Sequence, residues 1–168
     1  MLVNNAGAHP RDGALPELVE QALAANVRSV VQMCEAAKPH LAASAGGGAI
    51  VNISSIFGRE SGGSPQYNAS KSAQIALSKA LALEWIRQGI RVNNVAPGSV
   101  AFEGGSWGRR IKEDPEAMRQ FVDQNIPAGR FGTPEEIAAA VVFLASPRAS
   151  WVVGATLNVD GGQSRSNI

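Results

Sequence analysis

The sequence holds a single cysteine, Cys34, so no disulfide can form within it, and a reducing compartment such as the cytoplasm is expected. Cys34 stands in an apolar, Ala-rich stretch and reads as a packed thiol rather than a nucleophile. Charge is sparse and balanced: 15 Lys and Arg against 14 Asp and Glu leave a formal net charge of +1. No basic field points to nucleic acid or to an anionic membrane surface. The longest strongly apolar run, Ile137 to Ala145, falls well short of the ~20 residues that cross a bilayer. The first residues lack the charged-then-apolar order of a signal peptide. Only two histidines are present, His9 and His40, without metal-ligand spacing; both read as incidental and no metal site is expected. Tyrosine is scarcer still: Tyr67 is the only one.

The 168 residues are 45% hydrophobic and suffice for one domain with a sizeable core. Leu2-Val3 reads as the end of a buried strand, followed at once by Asn4-Asn5-Ala6-Gly7. Pro16 to about His40 has helical spacing, with Pro39 and the small residues after Ala42 ending it. Ala49 to Ile53 is a short apolar strand, and Ser54 to Pro65 is a Gly/Ser-rich loop. A second helix is predicted from Ser64-Pro65 to Gly89, with Ala69, Ala73, Ala76, Leu77, Ala80 and Leu81 as its apolar stripe. Ile90 to Val95 is the next strand, and 99–132 reads as a long irregular segment with a short helix starting at Asp114-Pro115-Glu116. Thr133 and Glu136 form a capping box that opens a helix to about Ala145. Ala155 to Val159 is the last strand, and Asp160-Gly161-Gly162 reads as a structural turn. Alternating strands and helices predict one α/β domain with a parallel sheet and right-handed crossovers.

Tyr67 and Lys71 lie four residues apart on a predicted helix and so share a face. An ammonium beside a phenol favours the phenolate and lowers the phenol's pKa from about 10, each unit amounting to ~1.4 kcal/mol. Such a phenol can exchange a proton with a substrate oxygen. Ser54-Ser55, Asn4-Asn5-Ala6-Gly7 and Pro97-Gly98 all fall at carboxyl ends of predicted strands, the edge where open α/β sheets bind ligands.

Asn4-Asn5-Ala6-Gly7, Asn26, Val51-Asn52-Ile53-Ser54-Ser55, Tyr67-Asn68-Ala69-Ser70-Lys71, Arg91-Val92-Asn93, Pro97-Gly98 and Val159-Asp160-Gly161-Gly162 follow one another in the order found in short-chain dehydrogenases/reductases, and the chain resembles that family over nearly its whole length. The resemblance implies a Rossmann-like parallel sheet with flanking helices, present here as a single partial domain over 1–168 that lacks the family's first three strands. It implies NAD- or NADP-dependent interconversion of a secondary alcohol and a ketone, similar to a 3-oxoacyl reductase or a related member. Tyr67 is then the acid/base, Lys71 its partner and a ligand of the nicotinamide ribose, and Asn26 the holder of a water that links Lys71 to solvent. Ser55 orients the substrate oxygen; Ser54 is the alternative, and Gly58 at the family's offset favours Ser55. Asn5, Ala6, Gly7, Tyr67, Lys71, Pro97, Gly98 and Val100 face the cofactor. Where the family often has a threonine after this Pro-Gly, Phe102 stands near that place.

The segment 99–132 corresponds to the family's variable substrate loop. Phe102, Trp107, Phe121 and Phe131 either close an apolar lid over the substrate or pack the loop onto the core. Arg109 and Arg110 read as a solvated pair, with an anionic substrate group as the alternative partner. The family's Gly-rich phosphate turn is not in this sequence, and Met1 is expected to be an internal methionine of a longer enzyme. The other reading is a genuinely short, noncatalytic chain that serves as an oligomerisation partner. In the family two long helices build a homodimer or homotetramer, and both are expected here.

Overall fold

A computed structural model of the chain describes residues 1–167. Four parallel strands form one sheet in the order β1 (Leu2–Asn4), β2 (Gly48–Ile53), β3 (Ile90–Pro97) and β4 (Thr156–Val159). Leu2 pairs with Ile50, Val51 with Asn93, and Val95 with Leu157. The sheet separates two helical layers. On one face Ile50, Ile90 and Val92 pack with Val30, Cys34 and Leu41 of the first helical layer and with Ala82 and Trp85 of α3 (Pro65–Trp85). On the other, Val51 and Val95 pack against Leu144 of α6 (Pro134–Ala145) and Ala149. Ile50 and Val51 thus serve opposite faces, as the two-residue period of a strand requires. The predicted α/β class, strands and capping box are all present, and the Thr133 side chain accepts from the Glu136 N–H.

The first long helix is continuous but not uniform. It runs as α1 (Leu15–Leu23), a wider π-turn (Ala24–Arg28) and α2 (Ser29–Ala42). Pro39 does not end it at His40, because the proline carbonyl still accepts from the Ala43 N–H at 3.2 Å. Arg91 of β3 donates to the carbonyls of Leu144, Ala145 and Ser146 and so satisfies the carboxyl end of α6.

Two expectations are corrected. First, 99–132 is not largely irregular: it contains α4 (Ser106–Glu113) and α5 (Pro115–Asn125), the latter capped by Asp114, whose carboxylate accepts from the Ala117 N–H. Gly104, Gly105 and Gly108 hid α4 in the sequence. Gly108 is there because a Cβ would lie 2.1 Å from the Phe102 carbonyl oxygen. Second, the buried face of α3 is not the Ala/Leu stripe. Ala69, Ala76 and Ala80 are exposed and Ala73, Leu77 and Leu81 half-buried, while Gln66, Ser70, Lys71, Gln74, Ser78, Ala82 and Trp85 face inward. Asn52 reaches across to make this possible: its amide donates to Ser78 Oγ at 2.8 Å and its oxygen accepts from Asn4 at 2.7 Å. Buried polar groups are tolerated when so paired.

Candidate active site

The carboxyl ends of β1, β2 and β3 lead into Asn5–Ala8, Ser54-Ser55 and Gly98, which meet the amino-terminal half of α3. Two adjoining cavities open there. The smaller, about 290 Å³, is lined by Asn5, Gly7, Ala8, His9, Ile53, Ser54, Ser55, Tyr67, Lys71, Pro97 and Gly98. The larger, about 1110 Å³, shares His9, Ser55, Tyr67, Pro97 and Gly98 and extends under α4 and α5. Ser55 and Tyr67 therefore stand on the boundary between the two.

The two serines divide clearly. Ser54 Oγ donates to the Val95 carbonyl at 3.0 Å, a bond internal to the sheet. Ser55 caps the short turn Ile56–Gly58 by accepting from the Phe57 N–H, and its side chain interacts with the Tyr67 phenol. Gly58 lets that turn press on α3: a Cβ there would lie 2.8 Å from the Lys71 carbonyl oxygen. Burial holds the Tyr67 phenol above its ordinary value, with the Ser55 bond pulling the other way. This corrects the expectation of a lowered phenol. Lys71 Nζ lies over the Tyr67 ring, 5.8 Å from its centroid, and donates instead to the Ile53 carbonyl at 3.0 Å and to Gln74 Oε1 at 3.1 Å. Burial pushes the Lys71 ammonium down to about 8.

Asn26 projects from the π-turn and is fully buried. Its oxygen accepts from the Ala8 N–H, and its amide donates to the Ala8 carbonyl and to Ser70 Oγ. Both amide hydrogens are thereby used, and Asn26 clamps the segment after β1. Gly7 is required beside it, since a Cβ would meet Asn26 Oδ1 at 2.8 Å. Asn5, Gly7, Pro97 and Gly98 line the smaller cavity as expected of cofactor-facing residues; Ala6 and Val100 line neither cavity, and Val100 instead bridges to Gly132. A concave cleft with a close-approach glycine and an ammonium at its wall fits the ribose end of a dinucleotide.

Three residues were missed in the sequence. His9 is not incidental: its ring stacks on Tyr67, 4.6 Å between centroids, and Nε2 bonds with Ser64 Oγ at 2.8 Å. Burial, and then the charge of Arg11, lower its pKa from the ordinary value. Gln74 holds Lys71, and the Gln163 side chain accepts from the Ser99 N–H at the larger cavity's wall. No spacing rule marks either glutamine. Among the aromatics, Trp107, Phe121 and Phe131 pack on one another, while Phe102 is 54% exposed and stands apart. Asp160 accepts from Gly162 and Ser164 N–H groups, a structural turn as expected.

A parallel α/β sheet carrying Ser, Tyr and Lys at its carboxyl edge defines a Rossmann-like chain of the dehydrogenase type. Residues 1–164 match the family model described as enoyl-(acyl carrier protein) reductase. The chain is 38% identical over 167 residues to 2-dehydro-3-deoxy-D-gluconate 5-dehydrogenase of Escherichia coli, covering 96% of this chain and 64% of that protein. It superposes on gluconate 5-dehydrogenase of Burkholderia cenocepacia in complex with NADP and tartrate with a TM-score of 0.84 at 32% identity, covering 98% and 64% of the two chains. A 3-oxoacyl-[acyl-carrier protein] reductase of Brucella melitensis with bound NAD gives a TM-score of 0.83 at 31% identity, covering 98% and 62%. The chain belongs to the short-chain dehydrogenase/reductase family. It spans somewhat less than two thirds of the length of these relatives.

Proposed function

We propose that the chain forms the catalytic part of an NAD- or NADP-dependent oxidoreductase that interconverts a secondary alcohol and a ketone. The observation that carries this reading is the placement of Ser55 and Tyr67 together on the boundary between the smaller cleft and the larger cavity. Asn5, Gly7, Tyr67, Lys71, Pro97 and Gly98 would hold the nicotinamide ribose end of the cofactor, with Ala6 contributing backbone at the turn and Val100 lying further off. The bound cofactor supplies or accepts the hydride. Ser55 would bond the substrate oxygen, and Tyr67 would pass it a proton. With its pKa held up by burial, the phenol is protonated at neutral pH, which suits donation to a carbonyl oxygen during reduction. The Lys71 ammonium, under the ring, would steady the phenolate left behind. Asn26 would position the Gly7–Ala8 turn against the cofactor and hold the water that, as the resemblance implies, links Lys71 to solvent.

The intact protein would work in the cytoplasm on a small alcohol or ketone, as a homodimer or homotetramer through its two long helices. Exposed Val31, Met33 and Leu83 on the outer faces of α2 and α3 support that assembly; no helix among the described residues is long and apolar enough to cross a membrane. The test is nucleotide-linked turnover: NADH or NADPH consumption by the intact protein with a panel of ketones, and the reverse with secondary alcohols. Turnover that falls at least about 100-fold in Ser55→Ala and little in Ser54→Ala supports the reading. A folded protein that oxidises or reduces no member of the panel, yet binds a full-length relative, would favour the noncatalytic partner instead.

A further inference from the structure

The larger cavity is lined by four arginines, Arg11, Arg109, Arg110 and Arg165, and by one carboxylate, Glu60. The arginines come from separate places: the loop after β1, α4, and the segment after β4. Elsewhere on the surface, Arg119 and Arg130 are paired with Glu116 and Glu136. None of the cavity arginines has a carboxylate partner among the described residues. Arg109 donates to the neutral carbonyl of Gly104 at 2.8 Å. Arg110 stacks on Trp107, 5.0 Å from the ring centroid, which orients its plane without using its N–H groups. Glu60 accepts from the Arg165 backbone N–H at 2.9 Å, and its single negative charge offsets only one of the four arginines in the lining. The lowered pKa of His9, to which the charge of Arg11 contributes, reports the same positive field. The lining also includes the apolar side chains Ile56, Phe57, Trp107 and Phe121.

We infer that the cavity selects ketones and alcohols bearing an oxyanion group, a carboxylate or a phosphate, held by Arg11, Arg109, Arg110 and Arg165 while the reacting oxygen sits at Ser55 and Tyr67. The inference rests on the dehydrogenase reading above, because that reading supplies the reacting end. Guanidinium forks match both oxyanions bidentately, and a cleft with low-dielectric walls strengthens the attraction.

The test pairs each anion with its neutral counterpart: 4-oxopentanoate with its methyl ester, and dihydroxyacetone phosphate with dihydroxyacetone. Binding to the intact protein is followed by ligand-observed NMR at low salt, and nucleotide-linked turnover is measured separately. The anion of at least one pair should bind about tenfold or more tightly than its neutral partner, and which pair responds tells carboxylate from phosphate. Added salt should reduce the difference, and Arg11→Gln/Arg110→Gln should remove it. Arg109→Gln/Arg165→Gln provides an independent variant should the first fail to fold. Equal binding within both pairs, or a preference that survives both double variants, overturns the inference whatever the turnover. Turnover of neutral ketones without anion preference overturns this inference and leaves the dehydrogenase reading standing; anion-selective binding without turnover of any compound does the reverse.

Discussion

The two parts of α3 do opposite things with the same helical geometry. Its amino-terminal two thirds turn Gln66, Ser70, Lys71, Gln74 and Ser78 inward, and its last two turns bring Ala82 and Trp85 inward. The apolar part is buried against Val30, Cys34, Ile50, Ile90 and Val92 and anchors the helix on the sheet. The polar part gains little from burial itself. It is held by a run of hydrogen bonds through Asn4, Asn52, Ser78 and Gln74 to Lys71, and by Asn26 through Ser70. A helix can bury a reactive ammonium because its other end is fastened by packing.

The contrast can be broken at either end. Trp85→Ala should cost about 3–5 kcal/mol, read as a lowered denaturant midpoint, since the indole is fully buried. A loss below about 1 kcal/mol would show that the apolar part is not the anchor.

Lys71 should act in the opposite sense. Its pKa is lowered from 10.5 to about 8, so between these values the unfolded chain binds the extra proton and stability rises with pH. The folded state carries the burden of the buried charge below pH 8 and is relieved of it above about 10.5. Cys34, raised to about 11, and Tyr67, also raised, oppose this trend, so the wild type alone is a poor reporter. Relative to Lys71→Met, however, the wild type should gain roughly 3 kcal/mol as pH rises from about 8 to 10.5. A difference independent of pH would mean that Lys71 is not buried as described.

Gln74→Leu removes one of the two acceptors of the Lys71 ammonium while keeping side-chain bulk. Turnover should fall about tenfold, or ~1.4 kcal/mol, and the alkaline limb of kcat/KM should move below about 8, because the ammonium loses a stabilising bond. Gln74→Glu should move the limb the other way. The smallest effect is expected at Ser54→Ala: about 1 kcal/mol of stability for the lost bond to Val95, with turnover nearly unchanged.

Much of this was legible in the sequence where a local rule decides. The Thr133–Glu136 capping box and the strand ends before Asn5, Ser54 and Gly98 are set by short-range chemistry, and the structure keeps them. The Ala/Leu pattern of α3 misled because hydrophobic periodicity assumes an apolar interior, and here the interior is polar for two thirds of the helix. Ala69, Ala76 and Ala80 carry the pattern without the burial, and Leu77 and Leu81 are only half-buried against the apolar core. His9 was missed because its role depends on a ring 58 positions away in sequence, and α4 because three glycines mask a short helix whose backbone lies against Phe102. Tyr-to-Lys spacing alone suggests a lowered phenol but carries no account of burial, which raises it in the folded chain.

Tyr67→Phe tests the central claim most directly. The ring and its stacking on His9 remain, and only the hydroxyl beside Ser55 is lost. Turnover and thermal unfolding should be measured on the same preparation of the intact protein. The account predicts a fall in kcat of at least about 1000-fold, with stability within about 1 kcal/mol of the wild type. Turnover within a few-fold of the wild type would contradict the assignment of Tyr67 as the acid/base.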